Sequence, residues 1–163
     1  MKKTLWALCA LVVGYSVTSL YAADAIPKSG RINTHSGYRG NGEVVALTDT
    51  RMYWGGVFYG VLYNDSGSGL LHEGTSQCVG SVDINGETGS SKGFCTFTDS
   101  DGSVIFGDWG GTSPAGQISG SGKFVGGTGK FAGVNGRWEY QCHVVNLKFG
   151  QWTCKQQFEY RLP

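Results

Sequence analysis

Glycine interrupts this chain at short intervals, 28 times in 163 residues and all but once from Gly30 onward, against only three prolines. Each glycine costs a helix interior roughly 1 kcal/mol relative to alanine, and no amphipathic helix of convincing length can be drawn through them. What remains between the glycines is rich in β-branched and aromatic residues, cut by Gly, Asn, Asp and Ser. That texture belongs to an all-β barrel or sandwich. Eight strands are expected, near 42–47, 52–63, 70–80, 92–98, 104–109, 116–122, 133–143 and 152–160.

Glycine inside a strand marks a bulge, a bend or a close approach. In WGGVFYGVLY, Gly56 and Gly60 share a face with Trp54, Phe58 and Leu62, while Gly55 shares the other with Tyr53, Val57, Tyr59, Val61 and Tyr63. Both faces are bulky and apolar. Two readings follow: a barrel whose interior holds a ligand and whose outer wall packs on another subunit, or a sharply curled sheet whose aromatics fill the glycine gaps.

The cysteines sharpen the strand assignment. In RWEYQCHV the even positions Trp138, Tyr140, Cys142 and Val144 are apolar, and in WTCKQQFEY so are Trp152, Cys154, Phe158 and Tyr160. This is a strand's period of two. Setting Cys142 opposite Cys154 places Trp138 opposite Phe158 and Arg137 opposite Glu159, which gives apolar pairs on one face and ionic pairs on the other. Cys78 and Cys95 flank DINGETG, whose Asn85-Gly86 is a hairpin-turn signal. The expected disulfides are therefore Cys78 with Cys95 and Cys142 with Cys154.

The N-terminus has the layout of a cleavable export signal: Lys2 and Lys3, an apolar run from Leu5 to Val13, then small residues at Ala22, Ala23 and Ala25. Residues 1–22 are expected to be removed, with cleavage up to 25 equally compatible, and Cys9 leaves with them. Residues 23–40 then form an N-terminal extension and 41–163 a single β-barrel domain. The mature chain is expected to be secreted or periplasmic, where its even cysteine count favours disulfides. Losing Lys2 and Lys3 takes the basic residues from 13 to 11, against 12 acidic ones. A nearly neutral chain has no basic field for nucleic acid or an anionic membrane. No later segment is apolar enough to span as a helix, and stable membrane insertion is not expected.

GGTGKFAGVNG, residues 126–136, puts a lysine in a glycine run. The phosphate-binding pattern G-x-x-x-x-G-K-[ST] fails twice, because Phe124 lies five before Gly129 and Phe131 follows Lys130. The letters of a dinucleotide fingerprint are present, but Gly133, Asn135 and Gly136 forbid the helix it needs. The segment instead reads as a tight strand connection in which Gly126, Gly127, Gly129 and Gly133 supply positive φ. Together with the upstream GFCTFTDSDGS, the phrase resembles bacterial exported members of the allene oxide cyclase barrel group, related in fold to plant dirigent proteins. The likeness covers about Gln77 to Arg137. It implies an eight-stranded antiparallel barrel of allene oxide cyclase, calycin-like type, with a central apolar cavity, often assembled as a homotrimer and working without a cofactor. The matched phrase is a scaffold signature and carries no catalytic residue.

Other chemistry finds little support. No two of His35, His72 and His143 share a metal-ligand spacing, and no metal site is expected. Asp99, Asp101 and Ser103 alternate as calcium ligands might, yet the later ligands of such a loop are missing, so an Asp-Gly hairpin turn is the expectation. No G-x-S-x-G elbow is present. Three functions stay open. The first is a barrel binding a small apolar or aromatic molecule among some of Tyr53, Trp54, Tyr59, Phe106 and Trp109. The second is a cofactor-independent isomerase or cyclase using the same cavity, with Glu73 or a tyrosine hydroxyl such as Tyr59 moving a proton. The third is a structural protein with a filled barrel.

Overall fold

The computed structural model describes residues 26–163 apart from 115–116 and 147–148; the expected export signal at 1–22, with its cleavage range to 25, lies outside the described residues. Eight strands follow one another: β1 (Ser29–Thr48), β2 (Arg51–Asn64), β3 (Gly74–Asn85), β4 (Thr88–Thr98), β5 (Val104–Pro114), β6 (Gln117–Gly127), β7 (Asn135–Asn146) and β8 (Gln151–Arg161). Each pairs antiparallel with its chain neighbours and β1 returns to β8, which closes the sheet into a barrel. The all-β, disulfide-bearing, eight-stranded barrel expected from the sequence is the observed fold.

β1 moves the expected domain boundary. Ser29 already pairs with Arg161, so residues 29–40 belong to the sheet rather than to an extension, and the barrel begins well before 41. The sequence hid this because the inward positions are partly polar. Ile32, Thr34 and Ser36 are buried, while Arg31, Asn33 and His35 between them are exposed. The strand expected from 70 also starts later, at Gly74, because Leu71 and Glu73 sit at φ of 60° and 55° in a turn that interrupts extension.

The two hairpins carrying cysteines form in the expected register. Cys78 faces Cys95 and Cys142 faces Cys154, and both pairs are disulfide-bonded. Trp138 lies opposite Phe158 and Arg137 opposite Glu159. The outward pair closes an ion bridge of 2.9 Å, which Arg31 of β1 joins on the same carboxylate. Gly86 takes φ of 60° to turn β3 into β4.

One end of the barrel is sealed. Leu62, Leu71, Phe97, Ile105, Phe131 and Phe158 are fully buried there, with the ring of Phe97 edge-on to Trp138 and Phe158. The glycine phrase supplies the plug: after β6 a single 3-10 turn, Gly129–Phe131, drives the Phe131 ring inward. Gly126, Gly129 and Gly133 do have positive φ. Gly127 does not; it is small because a side chain there would meet the Val104 carbonyl at 2.8 Å.

Lys130 fastens this plug to the neighbouring turn. Its ammonium lies 2.7 Å from Asp99 and 3.1 Å from Asp101, while its backbone N–H donates to Ser103 Oγ. Asp99 is buried and also accepts from the Leu71 and Ser100 backbone N–H groups. The Asp-Gly turn anticipated at 101–102 is present, with Gly102 at φ of 84°. The cation that its two carboxylates hold is a lysine of the same chain.

Candidate functional site: an aromatic cup

Closure decides which strand face becomes interior. Even positions of β1, β2, β3, β7 and β8 point inward, as do odd positions of β4 and β5. Trp54 and Trp109, expected in the cavity, are inside. Tyr53, Tyr59 and Phe106 are not: alternation puts all three on the outer wall, where Tyr53 is 39% and Tyr59 53% exposed. Phe106 lies opposite Gly126 and is half-buried against that outer surface. Tyr59 stands beside Arg39 at the edge of the mouth.

Glu73 is likewise displaced from the cavity. It occupies the exposed turn before β3, at the sealed end, so neither it nor its neighbour His72 lies on a strand. The half-buried His72 packs edge-on to Tyr63 outside the barrel.

The end opposite the plug is open. A mouth of about 940 Å³ is bordered by Val44, Met52, Trp54, Ile84, Val144 and Trp152. Below it lies an inner chamber of about 60 Å³ walled by Phe58, Trp109, Ile118, Trp138, Tyr140 and both disulfides. Mouth and chamber share Val82, Ile118 and Trp152 as common wall. The chamber therefore adjoins the mouth on its inner side.

Interior glycines explain how so many rings fit. The Trp109 indole lies flat on Gly80 and Gly93, where a methyl group on Gly93 would stand 2.7 Å from the ring. Trp54 covers Gly42 and Gly56, Trp152 covers Gly40, and Tyr38 covers Gly60 in the same manner. The rings thus serve as wall rather than filling. Trp54, Phe58, Trp109 and Trp152 meet mostly edge-to-face, with Phe58 5.1 Å from Trp152 and 6.2 Å from Trp109 between centroids, an arrangement favoured by the ring quadrupoles.

Arg39, Asn41, Ser90, Ser91 and Gln117 line the mouth; around the inner chamber the polar groups are few and of two kinds. One kind is satisfied. Gln156 accepts from Ser36 Oγ at 2.9 Å and, more weakly, from Thr34, and donates to the Tyr38 hydroxyl at 3.3 Å. The Trp138 indole N–H donates to the Asp108 carbonyl. The other kind is not: Trp109 Nε1 is buried without a hydrogen-bond partner, and the buried Tyr140 hydroxyl makes no hydrogen bond of good geometry, with Ser91 near enough only to act on its titration. Burial pushes the Tyr140 phenol pKa up, with the Ser91 hydroxyl offsetting part of the rise. Burial does the same to Tyr38, opposed by its Ser76, Gln156 and Ser36 neighbours. Both phenols are therefore protonated at neutral pH.

Several lining residues escaped the sequence reading as site residues: Tyr38, Phe58, Tyr140, Trp152 and Gln156. Four of them were in phase with a recognised feature. Tyr140 and Trp152 share the period of the cysteine pair, Phe58 that of Trp54, and Gln156 is the lone polar residue on the apolar phase of β8. Tyr38 had no signal, because its strand was not recognised.

No protein-family model matches the chain, and no curated protein sequence matches it. Solved structures do. The pterocarpan synthase dirigent protein GePTS1 aligns over 98% of both chains at 14% identity with a TM-score of 0.50. The pterocarpan synthase dirigent protein PsPTS1 covers 84% of this chain and 98% of its own at 17% identity, with a TM-score of 0.49. The first likeness is one of fold. It supports the dirigent-related barrel in the resemblance drawn from the glycine phrase.

Proposed function

We propose that this chain is an exported barrel that takes a small apolar or aromatic molecule into its cup. The observation that carries the reading is the asymmetry of the barrel: one end plugged by fully buried rings, the other opening through about 940 Å³ onto an aromatic wall. A barrel built only to be stable would fill both halves, since packed interiors leave few voids. Concave, mainly apolar sites with a few placed polar groups are where proteins hold small molecules. Two disulfides suit an oxidising compartment, and among the described residues no helix is long and apolar enough to cross a membrane.

The isomerase or cyclase alternative has less to draw on. The chamber wall carries no Asp, Glu, His, Lys or Arg, and its two phenols are held protonated by burial. Glu73 lies at the wrong end. Assembly with further copies, as in the expected homotrimer, would use the outer wall, where the register aligns Val57, Val79 and Phe94 in one row across β2, β3 and β4.

Native mass spectrometry of the mature protein, purified without denaturant from its exported fraction, tests the binding function. A discrete adduct lost on denaturation is the expected result. An adduct-free protein that also fails to take up a neutral naphthalene dye would overturn it.

A further inference from the structure

The proposal below rests on the cup being a binding site and adds what it selects. We infer that the inner chamber is built for an uncharged, ring-sized ligand bearing one hydrogen-bond-accepting oxygen, held between Trp109 Nε1 and the Tyr140 hydroxyl.

Three observations converge on this. The first is the missing charge: no ionisable carboxylate, imidazole, ammonium or guanidinium lines the chamber. A ligand charge taken there would be desolvated without a counter-ion, at a cost of several kcal/mol in general. A neutral ligand is the one that such a wall admits.

The second is a pair of unmet donors. Trp109 and Tyr140 are each more than nine-tenths buried, yet Trp109 Nε1 has no partner and the Tyr140 hydroxyl makes no well-formed hydrogen bond, its polar neighbour being the Ser91 hydroxyl. Buried polar groups are nearly always hydrogen-bonded, and each exception needs a reason. A third such atom, His72 Nδ1, lies in the turn before β3, away from the chamber; within the chamber the exceptions are selective. Trp138 on the same wall finds the Asp108 carbonyl, and Tyr38 with Gln156 joins a closed network. The rings that carry the two groups meet in a perpendicular contact, centroids 6.1 Å apart, and both line the chamber. An indole N–H is a donor only, so whatever satisfies it must accept.

The third is size. A water needs about 10–15 Å³ of such volume, so 60 Å³ holds about four to six water-sized positions. That suits one substituted ring entering past Trp152, with any remaining bulk in the mouth.

Acetophenone, α-methylstyrene and benzoate test this, because they share a ring and nearly a shape. The first offers a carbonyl oxygen, the second replaces it with a methylene, and the third carries a charge. Each is titrated into the oxidised, ¹⁵N-labelled protein and into Tyr140→Phe, which keeps the ring that packs the wall. Comparing variants cancels the greater hydrophobicity of the hydrocarbon. Acetophenone is expected to shift the Trp109 indole N–H resonance downfield and to bind about fivefold more weakly to Tyr140→Phe, the scale of one neutral hydrogen bond. α-Methylstyrene should bind both proteins equally and leave that resonance without the downfield shift, and benzoate should not bind.

Equal weakening of both neutral ligands in the variant, or benzoate binding as well as acetophenone, would overturn the inference while leaving the cup a binding site. If neither neutral ligand binds, the binding function itself falls.

Discussion

Lys130 shows how a residue picked out for one chemistry serves another. In the sequence it sits in a glycine run that imitates a phosphate loop; in the barrel its ammonium bridges Asp99 and Asp101 and holds the plug to the β4–β5 turn. Burial pulls its pKa down, but the hydrogen bonds to Asp99 and Asp101 outweigh that and leave it raised. The Ser103 backbone N–H holds the Asp101 carboxyl below the usual range against an opposing effect of burial, and Lys130 adds to the lowering. A raised lysine pKa contributes stability that is complete below the unfolded value near 10.4 and is lost as pH rises through the folded value. A lowered carboxylate pKa contributes stability above about 3.9 that is lost as pH falls through the folded value. Lys130→Met leaves the buried Asp99 without its counter-ion and should cost about 2–4 kcal/mol in urea unfolding at pH 7. The deficit against wild type should shrink above pH 11; a deficit independent of alkaline pH would count against the ion pair. Glycine makes a second residue-scale test. Gly93→Ala forces a methyl group against the Trp109 ring and should cost about 1–3 kcal/mol, whereas at Gly37 nothing lies within 4 Å and Gly37→Ala should be neutral or slightly stabilising by thermal melts.

At the scale of the element, the cysteine hairpins were the most legible part of the chain. Strict alternation in β7 and β8 fixes the register once Cys142 is set against Cys154, because a slip of one residue would turn every ring outward. β1 was the least legible, since its inward Thr34 and Ser36 break the apolar pattern and their burial depends on Gln156 of β8, over a hundred residues away. The turn before β3 was missed for a different reason: Leu71 and Glu73 adopt positive φ without being glycine, and Asp99 is among the groups that anchor it through the Leu71 N–H. Because Cys78 and Cys95 are both buried while Cys142 is only partly so, the first disulfide should resist alkylation after mild reductant better than the second. Replacing both Cys142 and Cys154 by serine should lower stability by about 2–3 kcal/mol, the scale for so short a loop, as read from the denaturant midpoint. A non-reduced tryptic map pairing any other cysteines would refute the register.

Among the described residues, apolar side chains gather both inside the cavity and on the outer wall. The outer row Val57, Val79 and Phe94 stays in solvent, with Val79 56% and Phe94 60% exposed. Exposed apolar patches mark contact sites, and the proposed assembly of further copies would use this wall. Sedimentation equilibrium of the mature protein should give an oligomer that Phe94→Glu dissociates. A wild-type monomer at tens of micromolar would remove the assembly.

By itself the sequence determined that the barrel domain is all-β, where most turns lie, which cysteines bond and which residues share a strand face, because all of these follow from glycine's local effects and a period of two. It could not say which face is concave. On β2 both faces are bulky and apolar, and the choice between Trp54 and Tyr53 as lining is made only when β1 pairs with β8 and curvature puts one face inside. The orphaned donors of Trp109 and Tyr140 arise at the same step, since a polar atom is unpaired only relative to what the closed barrel places around it.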